Sequence, residues 1–288
     1  MRALRLRGPV DGRERARRAL SGERTDRPPL WIRGLGERAL ALPVDLVAAT
    51  EDAVAPLPTF GRVRAPADVD ALADAKLRVE PTARLREAEP HRALVASCGA
   101  PLTLAVTLLG GWAPAKAFVY AHGAAWERLL ARCADLAVAH LDAHARAGAD
   151  VLELHDPWAD RLAPEEFERL VLPATRAALE RLRGAKTVYH PQGTPHLLPL
   201  LPRCGAHAWG IDWRVPLEDV RARHPDAPLV GNLDPTLLLA PPAWLAQEVG
   251  WMRDAVPQGG YVAALGGDLL PGTPEDGLRT FAETLASR

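Results

Sequence analysis

Along almost the whole chain, short apolar segments alternate with longer segments whose apolar residues recur every three or four positions. The short segments have the length of buried β-strands, and the longer ones have the spacing of amphipathic helices. The pattern predicts strands at Pro29–Gly34, Asp45–Ala49, Ala93–Gly99, Asp150–His155, Lys186–His190, His207–Asp212, Pro228–Gly231 and Tyr261–Gly266. It predicts helices between most of them, at Pro66–Glu87, Ala115–Ala147, Pro164–Arg183, Pro241–Ala255 and Pro274–Ala286.

This alternation predicts an α/β protein whose strands close into a (β/α)8 TIM barrel rather than an open doubly wound sheet. No composition shift or tandem repeat marks a boundary, so we expect a single domain over residues 1–288, with residues 1–27 as an N-terminal helical extension. The first β/α unit is trimmed, because only about ten residues separate the first two predicted strands, near the lower limit for a helical crossover. A partner chain or the predicted N-terminal helix Gly12–Gly22 would complete the barrel wall there.

Composition and charge narrow the classes of function. A hydrophobic fraction of 48% supports a large buried core, and a net charge of −1 gives no reason to expect a nucleic acid or an anionic membrane as partner. The three cysteines are far apart and fit neither a disulfide framework nor a zinc knuckle. Met1–Arg27 lacks the apolar segment of a secretory signal, and no run approaches the ~18 apolar residues of a membrane helix. We therefore expect a cytoplasmic location.

Polar residues stand at the ends of the predicted strands, where barrels of this kind have their active sites. They mix both charge signs with two imidazoles and suit a small polar or anionic ligand. In chain order they are Arg33, Asp52, His155, Asp156, His190, Asp212, Asn232, Asp234 and Asp268. Because Asp and Asn also cap the helices that follow strands, capping is the structural alternative for several of them.

Arg33 and Arg38 follow the first strand and its turn. A guanidinium fork binds a carboxylate through two parallel hydrogen bonds, so this pair could hold a polycarboxylate. The alternative is that both are ordinary surface arginines. No strand is followed by a glycine-rich dinucleotide motif, since Gly34-Leu35-Gly36 lacks the third glycine, and we predict no cofactor.

His155 and His190 end neighbouring predicted strands, and with Asp212 or Asp268 they supply the ligand types of a metal site. No metal-specific spacing accompanies them, and a hydrogen-bonded, partly buried histidine is the favoured alternative, so no metal is predicted. No serine sits in a sharp glycine-flanked turn, which argues against a serine nucleophile.

Several blocks of the sequence, in order and spacing, resemble the uroporphyrinogen decarboxylase family, whose enzyme trims acetate side chains from a tetrapyrrole. The resemblance runs from about Arg15 to Leu285 and implies the barrel fold, a homodimer and decarboxylation without a cofactor. It places the family's substrate-binding arginines near Arg33 and Arg38 and its central catalytic aspartate on Asp52. The blocks are Asp26–Arg33, Asp52–Gly61, Gly99–Leu104, Ala147–Asp150, Leu170–Pro173, Gly210–Arg214, Gly231–Pro235 and Leu265–Pro274.

At three positions the chain departs from the family pattern. The family's active-site tyrosine, serine and histidine fall on Thr107, Pro157 and Gly267. In the chemistry that the resemblance implies, protonating a pyrrole carbon turns the ring into its own electron sink, so that carbon dioxide leaves. Asp52 would stabilise the developing positive charge, in the manner of preorganised electrostatic catalysis.

The residues available to replace the three missing groups are at the strand ends: His155, His190 and Asp268, with Asp212 as a further substrate-binding candidate. The first interpretation is therefore a decarboxylase that converts uroporphyrinogen III to coproporphyrinogen III in haem biosynthesis.

Two other interpretations stay open. One is a diverged paralogue that acts on another tetrapyrrole or in corrinoid-linked methyl transfer, and the other is a non-catalytic binding protein with a remnant cleft. Zinc-dependent thiol methyltransferases of the wider superfamily carry a His-x-Cys motif where this chain has His190-Pro191-Gln192, which argues against that activity.

Overall fold

The computed structural model contains one closed barrel of parallel strands. It describes residues 10–35, 42–49, 63–72, 78–182, 184–256 and 259–287. The predicted TIM-barrel fold is confirmed, and each predicted strand is found: Ala93–Gly99 has the predicted bounds, and the bounds of the others differ by one to a few residues. The strands are β1 Leu30–Trp31, β2 Leu46–Ala48, β3 Ala93–Gly99, β4 Val151–Asp156, β5 Lys186–Pro191, β6 Ala208–Gly210, β7 Leu229–Leu233 and β8 Tyr261–Leu265.

Each strand pairs with the next along the chain, and β1 closes the barrel against β8. The surrounding α-helices are α1 Gly12–Ala19, α2 Pro66–Asp70, α3 Glu80–Ala88, α4 Pro101–Leu108, α5 Trp112–Ala121, α6 Gly123–Arg146, α7 Pro164–Leu170, α8 Leu172–Arg181, α9 Leu217–Arg223, α10 Pro242–Asp254 and α11 Glu275–Ala286. Single turns of 3₁₀ helix or short 3₁₀ runs follow β4, β5 and β7, at Ala159–Arg161, Pro195–Arg203 and Pro235–Leu239.

The prediction of Pro66–Glu87 as one helix is wrong. Helix α2 ends at Asp70, and α3 begins at Glu80 with Pro81 in its first turn. A proline is tolerated there because its missing N–H would have no partner within the helix anyway.

Two further predicted helices are each divided. Ala115–Ala147 is α5 and α6, separated at His122, whose backbone leaves the helical region (φ −141°, ψ 51°). Pro164–Arg183 is α7 and α8, separated at Val171, two residues before Pro173. The ring of Pro173 is incompatible with a helix that continues through the preceding turn.

Helices α4 and α9 were not among the predicted elements. Every residue of α4 except Thr107 is buried, so the helix has no polar face from which a 3.6-residue period could be detected. By length and composition, no single helix of the described residues could cross a membrane; α4 and α5 together pass the same test only as a pair bent by 96°.

The N-terminal extension covers the lower end of the barrel, where the strands begin. Helix α1 packs against the residues that fill the barrel interior, through Ala16, Ala19 and its C-cap residue Leu20. Arg15 donates to Asp26 and to the buried carboxylate of Asp45 at the start of β2, which fixes the extension to the barrel. Helix α1 therefore closes the end of the barrel that lies opposite the predicted site.

Candidate active site

The alternation of side chains along each strand decides which polar residues enter the barrel. Val151 belongs to the interior cluster, so Glu153 and His155, two and four residues later, also face inward. Val188 also belongs to the interior cluster, so His190, two residues later, faces inward. Trp31 belongs to the same cluster, and Arg33 follows it by two residues, in the turn after β1. These positions lie at the upper end of the barrel, where the strands finish.

Arg33 connects this inward-facing group through hydrogen bonds. Its Nη2 donates to Glu153 Oε1 in a short hydrogen bond and to His190 Nδ1 at 2.6 Å. Its Nη1 donates to Asp268 Oδ1 at 3.3 Å. The Arg33 side chain is only 15% exposed, so the guanidinium lies within the mouth of the barrel rather than on the surface. The alternative of an ordinary surface arginine is wrong for Arg33.

Glu153 is the residue that sequence reasoning missed. It is fully buried, and its second oxygen, Oε2, accepts a hydrogen bond from Ser97 Oγ at 2.6 Å. Burial by itself would raise the pKa of Glu153, but the charge of Arg33 holds that pKa well below its usual range. The sequence contains a usable signal, because a carboxylate at an inward position of a buried strand must find a partner in the interior.

The surroundings of the two histidines favour their neutral forms. Burial and the neighbouring charge of Arg33 lower the pKa of His155 to about 3 and also lower the pKa of His190. A guanidinium can only donate, so His190 Nδ1 accepts from Arg33 and the ring proton is assigned to Nε2. The two rings meet edge to face with centroids 5.8 Å apart. Among the described residues, neither Nε2 has a hydrogen-bond partner.

Asp268 reaches this group from the loop after β8. Its Oδ1 lies 3.3 Å from Arg33 Nη1 and 4.0 Å from His155 Nε2, and its side chain is 61% exposed. Asp268 is thus the solvent-facing member of a cluster whose other members, Arg33, Glu153, His155 and His190, are buried or nearly so. We call these five residues the mouth cluster.

Three predicted site residues make structural hydrogen bonds instead. Asp212 is buried and accepts from the backbone N–H groups of Gly193 and Arg214, at 2.6 and 2.9 Å. Asn232 Nδ2 donates to the carbonyl of Asp212 and, at 2.6 Å, to that of Val215. Asp234 caps a 3₁₀ turn by accepting from Thr236 N at 2.9 Å. The capping alternative describes the contact of Asp234. Asp212 and Asn232 instead hydrogen-bond to the backbone of the loops at the mouth.

Asp156 points away from the barrel interior. Its buried carboxylate accepts from Thr103 Oγ1 at 2.7 Å and from the Tyr189 hydroxyl at 3.0 Å, which joins α4 to β4 and β5. Burial raises the pKa of Asp156 to about 7. It supports the site from behind and does not face the mouth cluster.

Of the remaining predicted positions, two lie outside the described residues and two are occupied by residues that contact other parts of the protein. Asp52 and Arg38 lie outside the described residues. Thr107 Oγ1 donates to the carbonyl of Thr103 within its own helix. A Cβ on Gly267 would lie 3.3 Å from Pro235, whose ring and the neighbouring Trp213 indole cover the position where the family has a histidine.

Within the described ranges, no three His, Cys, Asp or Glu side chains come close enough to hold a metal ion. Arg33 itself fills the space between Glu153 and His190 by bonding to both.

The cavities at the two ends of the barrel differ in their relation to the mouth cluster. A cleft of about 570 Å³ lies beside the mouth, between the ends of β6 and β7 and helix α10, and is lined by Trp213, Asn232, Asp234 and Trp251 among others. A groove of about 1100 Å³ lies at the opposite end, between α1 and the beginnings of β3, β4 and β5. The groove is remote from the mouth cluster, and Arg13 on its wall is paired with Asp150.

Residues 38–287 match the sequence model of the family described as uroporphyrinogen decarboxylase (URO-D). A uroporphyrinogen decarboxylase of Thermus thermophilus is 32% identical over 212 residues, covering 71% of this chain and 62% of its own. One of Streptomyces coelicolor is 36% identical over 199 residues, covering 66% of this chain and 56% of its own. One of Rhodococcus jostii is 32% identical over 271 residues, covering 87% and 74%. The chain therefore spans about six tenths of the length of the Thermus and Streptomyces relatives.

Among solved structures, a methyltransferase from Methanosarcina mazei superposes with a TM-score of 0.80 at 17% identity, covering 96% of this chain and 99% of that one. A B12-independent methionine synthase from a Shewanella species superposes with a TM-score of 0.56 at 15% identity over 75% of this chain and 67% of that one. At these identities the likeness concerns the fold alone.

Proposed function

Because the chain belongs to the uroporphyrinogen decarboxylase family, we propose that it is a carboxy-lyase that removes carbon dioxide from the acetate side chains of a tetrapyrrole polycarboxylate. The substrate of this proposal is uroporphyrinogen III and its product coproporphyrinogen III, a step of haem biosynthesis. The observation that carries the proposal is the position of Arg33, a guanidinium held within the barrel mouth by Glu153 and His190.

Arg33 would bind a carboxylate of the substrate from the side of Nη1, since Nη2 is already committed to Glu153 and His190. A charge-assisted bond to a guanidinium is stronger than one between neutral groups and orients the ligand. The substrate carboxylate would replace that of Asp268, whose Oδ1 is 4.0 Å from His155 Nε2, and would therefore lie next to this nitrogen.

His155 is the candidate for the proton donor. It is neutral in the arrangement described above, and a ligand carboxylate beside its Nε2 would raise its pKa and favour the imidazolium. That imidazolium would deliver a proton to a pyrrole carbon, and as carbon dioxide leaves, the electrons of the broken C–C bond would form an exocyclic methylene on the ring. A proton added to the methylene carbon and the loss of the proton from the ring carbon would then give the methyl group of the product. Asp52, which the family resemblance makes the stabiliser of the cationic ring, lies outside the described residues.

The direct test is turnover. The purified protein is incubated anaerobically with uroporphyrinogen III, and the products are oxidised and separated by chromatography. We expect coproporphyrin, and we expect Arg33→Lys to lower kcat/KM by about a hundredfold because a lysine lacks the planar fork. Arg181→Lys is the matched control, since Arg181 makes a surface pair with Asp135. Absence of coproporphyrin with the unaltered protein rules the proposal out.

A second candidate is a decarboxylase-like paralogue that acts on a different ligand, and one observation favours it. Buried Glu153 balances the charge of Arg33, so the mouth cluster offers less net positive charge to a polycarboxylate than an unpaired arginine would. Melting temperatures measured with a panel of tetrapyrroles and corrinoids separate the two candidates. A shift with another member of the panel, and none with uroporphyrin, favours the paralogue; no shift with any member favours a non-catalytic protein.

Homodimer formation and a cytoplasmic location stay predictions from the sequence. Light scattering tests the first, because a dimer has twice the mass of the 31.0 kDa chain.

A further inference from the structure

Asp268 makes the weakest contact in the mouth cluster. Its Oδ1 lies 3.3 Å from Arg33 Nη1, longer than the usual 2.7–2.9 Å of a charge-assisted bond, and its side chain is 61% exposed. Arg33 and Glu153, in contrast, form a short bond with Glu153 fully buried. One side of the guanidinium is therefore fixed, and the other is held by a carboxylate that water can replace.

The position of Asp268 is also one that calls for an anionic or acceptor oxygen. His155 is 5% exposed, and its Nε2 has no hydrogen-bond partner among the described residues. That nitrogen lies 4.0 Å from Asp268 Oδ1, just beyond hydrogen-bond distance. Because a buried polar atom without a partner is unfavourable, an oxygen placed slightly deeper than that of Asp268 would satisfy both Arg33 Nη1 and His155 Nε2.

Asp268 can leave Arg33 by rotation of its own side chain, which is 61% exposed. The backbone need not move, and the preceding Gly266 and Gly267 are packed against Trp213 and Pro235. The carboxylate of Asp268 has no other side-chain or backbone hydrogen bond recorded among the described residues, so its departure breaks only the contact with Arg33.

We infer that Asp268 limits the affinity of Arg33 for a ligand carboxylate: its own carboxylate holds the place on Arg33 that the ligand takes, and it competes with that ligand. The inference rests on the proposed function only in so far as Arg33 binds a carboxylate. It holds for any ligand that presents one, whatever the reaction. An exposed ion pair contributes little to stability, so the main consequence of Asp268 is on binding.

The experiment compares Asp268→Asn with Asp226→Asn. Both substitutions replace an aspartate by asparagine, so they change the net charge equally. Asp226 is exposed on the segment before β7, at the opposite end of the barrel, and serves as the distant control. The probe is acetate, titrated at constant ionic strength with sodium chloride, and the readout is the ring signals of ¹⁵N-labelled histidine, with His155 and His190 assigned by His155→Gln and His190→Gln. The signals of these two residues report occupancy of the site directly.

We expect Asp268→Asn to lower the dissociation constant of acetate by about fivefold, because the competing negative charge is gone. Asp226→Asn should stay within about twofold of the unaltered protein, the range expected for a distant, screened charge. Equal affinity in the Asp268 variant, weaker affinity, or no acetate-dependent shift of His155 or His190 in either protein overturns the inference.

Turnover of uroporphyrinogen III is measured separately on the same samples. If turnover is absent and Asp268→Asn still binds acetate more tightly, the proposed function fails and the role of Asp268 stands. If turnover is present and the acetate constants are equal, the proposed function stands and the role of Asp268 fails.

Discussion

Gly210 of β6 lies directly against the imidazole ring of His190 on the neighbouring strand β5. A Cβ built on Gly210 would overlap with Cγ, Cδ2 and Cβ of His190. The absence of a side chain on β6 is therefore what allows His190 to occupy the barrel interior and to accept from Arg33. Glycine is required here for space, since its backbone is not in the left-handed region.

We expect Gly210→Ala to displace the ring of His190 and to lower the free energy of unfolding by about 1–3 kcal/mol, the usual cost of overpacking an interior. Urea unfolding measures the cost. Displacement of the ring should also change the His190 signal in ¹⁵N spectra of the folded protein.

Gly250→Ala is the matched control. Gly250 lies within α10, and a Cβ there would meet no atom within 4 Å. Since alanine is favoured over glycine inside a helix, the control should gain roughly 0.5–1 kcal/mol. A Gly210→Ala protein that is as stable as the Gly250→Ala protein contradicts the packing argument.

The ion pair between Arg33 and Glu153 should be costly to break from one side. Glu153→Leu removes the carboxylate and leaves the buried guanidinium without its main partner, for which we expect a loss of about 3–5 kcal/mol. Arg33→Met/Glu153→Leu removes both charges and should recover much of that loss. Chemical unfolding of the two single variants and the double variant completes the cycle. Losses that simply add would mean that the pair has no coupling.

The sequence was sufficient to predict the barrel and most of the mouth cluster. Arg33, His155, His190 and Asp268 were predicted because residues at strand ends of a parallel barrel converge on one face, and that convergence follows from topology alone. The roles of Asp212 and Asp234 could not be separated from capping in the same way. Whether a carboxylate at a strand end faces a ligand or a backbone N–H depends on the loop conformation, which a strand pattern does not specify.

Glu153 and the divided helices were missed for different physical reasons. Glu153 lies inside a strand, where apolar residues are expected, and its charge is balanced by Arg33, which approaches from the turn after β1. The local sequence indicates that Glu153 needs a partner in the interior, but it does not identify Arg33 as that partner, because the contact is long-range. The division of α7 from α8 follows from Pro173, and the break at His122 is directly followed by Gly123, so the sequence carries a signal for both.

Asn232 should hold the loop that carries Trp213 at the mouth. Its Nδ2 donates to the carbonyls of Asp212 and Val215, on either side of the tryptophan. Asn232→Ala leaves both carbonyls without this donor, and we expect a loss of about 1–3 kcal/mol. Asn232→Asp is nearly isosteric but turns an acceptor toward two carbonyl oxygens, so it should cost more than alanine.

Thermal unfolding of the two Asn232 variants gives the order of stability, and hydrogen exchange of Trp213 and Arg214 amides reports the loop directly. Both variants should exchange faster at these two amides than the unaltered protein. If aspartate is better tolerated than alanine, the amide of Asn232 is not acting as the donor described here.

Asp156 should make the protein less stable as the pH rises toward neutrality. Its pKa in the fold is about 7, against 3.8 for an unperturbed aspartate, so between these values the folded protein holds a proton that the unfolded chain releases. Stability from this group is complete below pH ~3.8 and is lost as the pH rises through about 7. Asp156→Asn stays uncharged, so its stability relative to the unaltered protein should improve by about 2 kcal/mol between pH 5 and pH 8. Urea unfolding at a series of pH values measures the difference, in which the opposing contributions of the buried histidines cancel.

Tyr189→Phe removes one donor to the ionised carboxylate of Asp156 and should move the decline in stability to higher pH. Parallel stability curves for the unaltered protein and Asp156→Asn would show that Asp156 does not change its charge in this range.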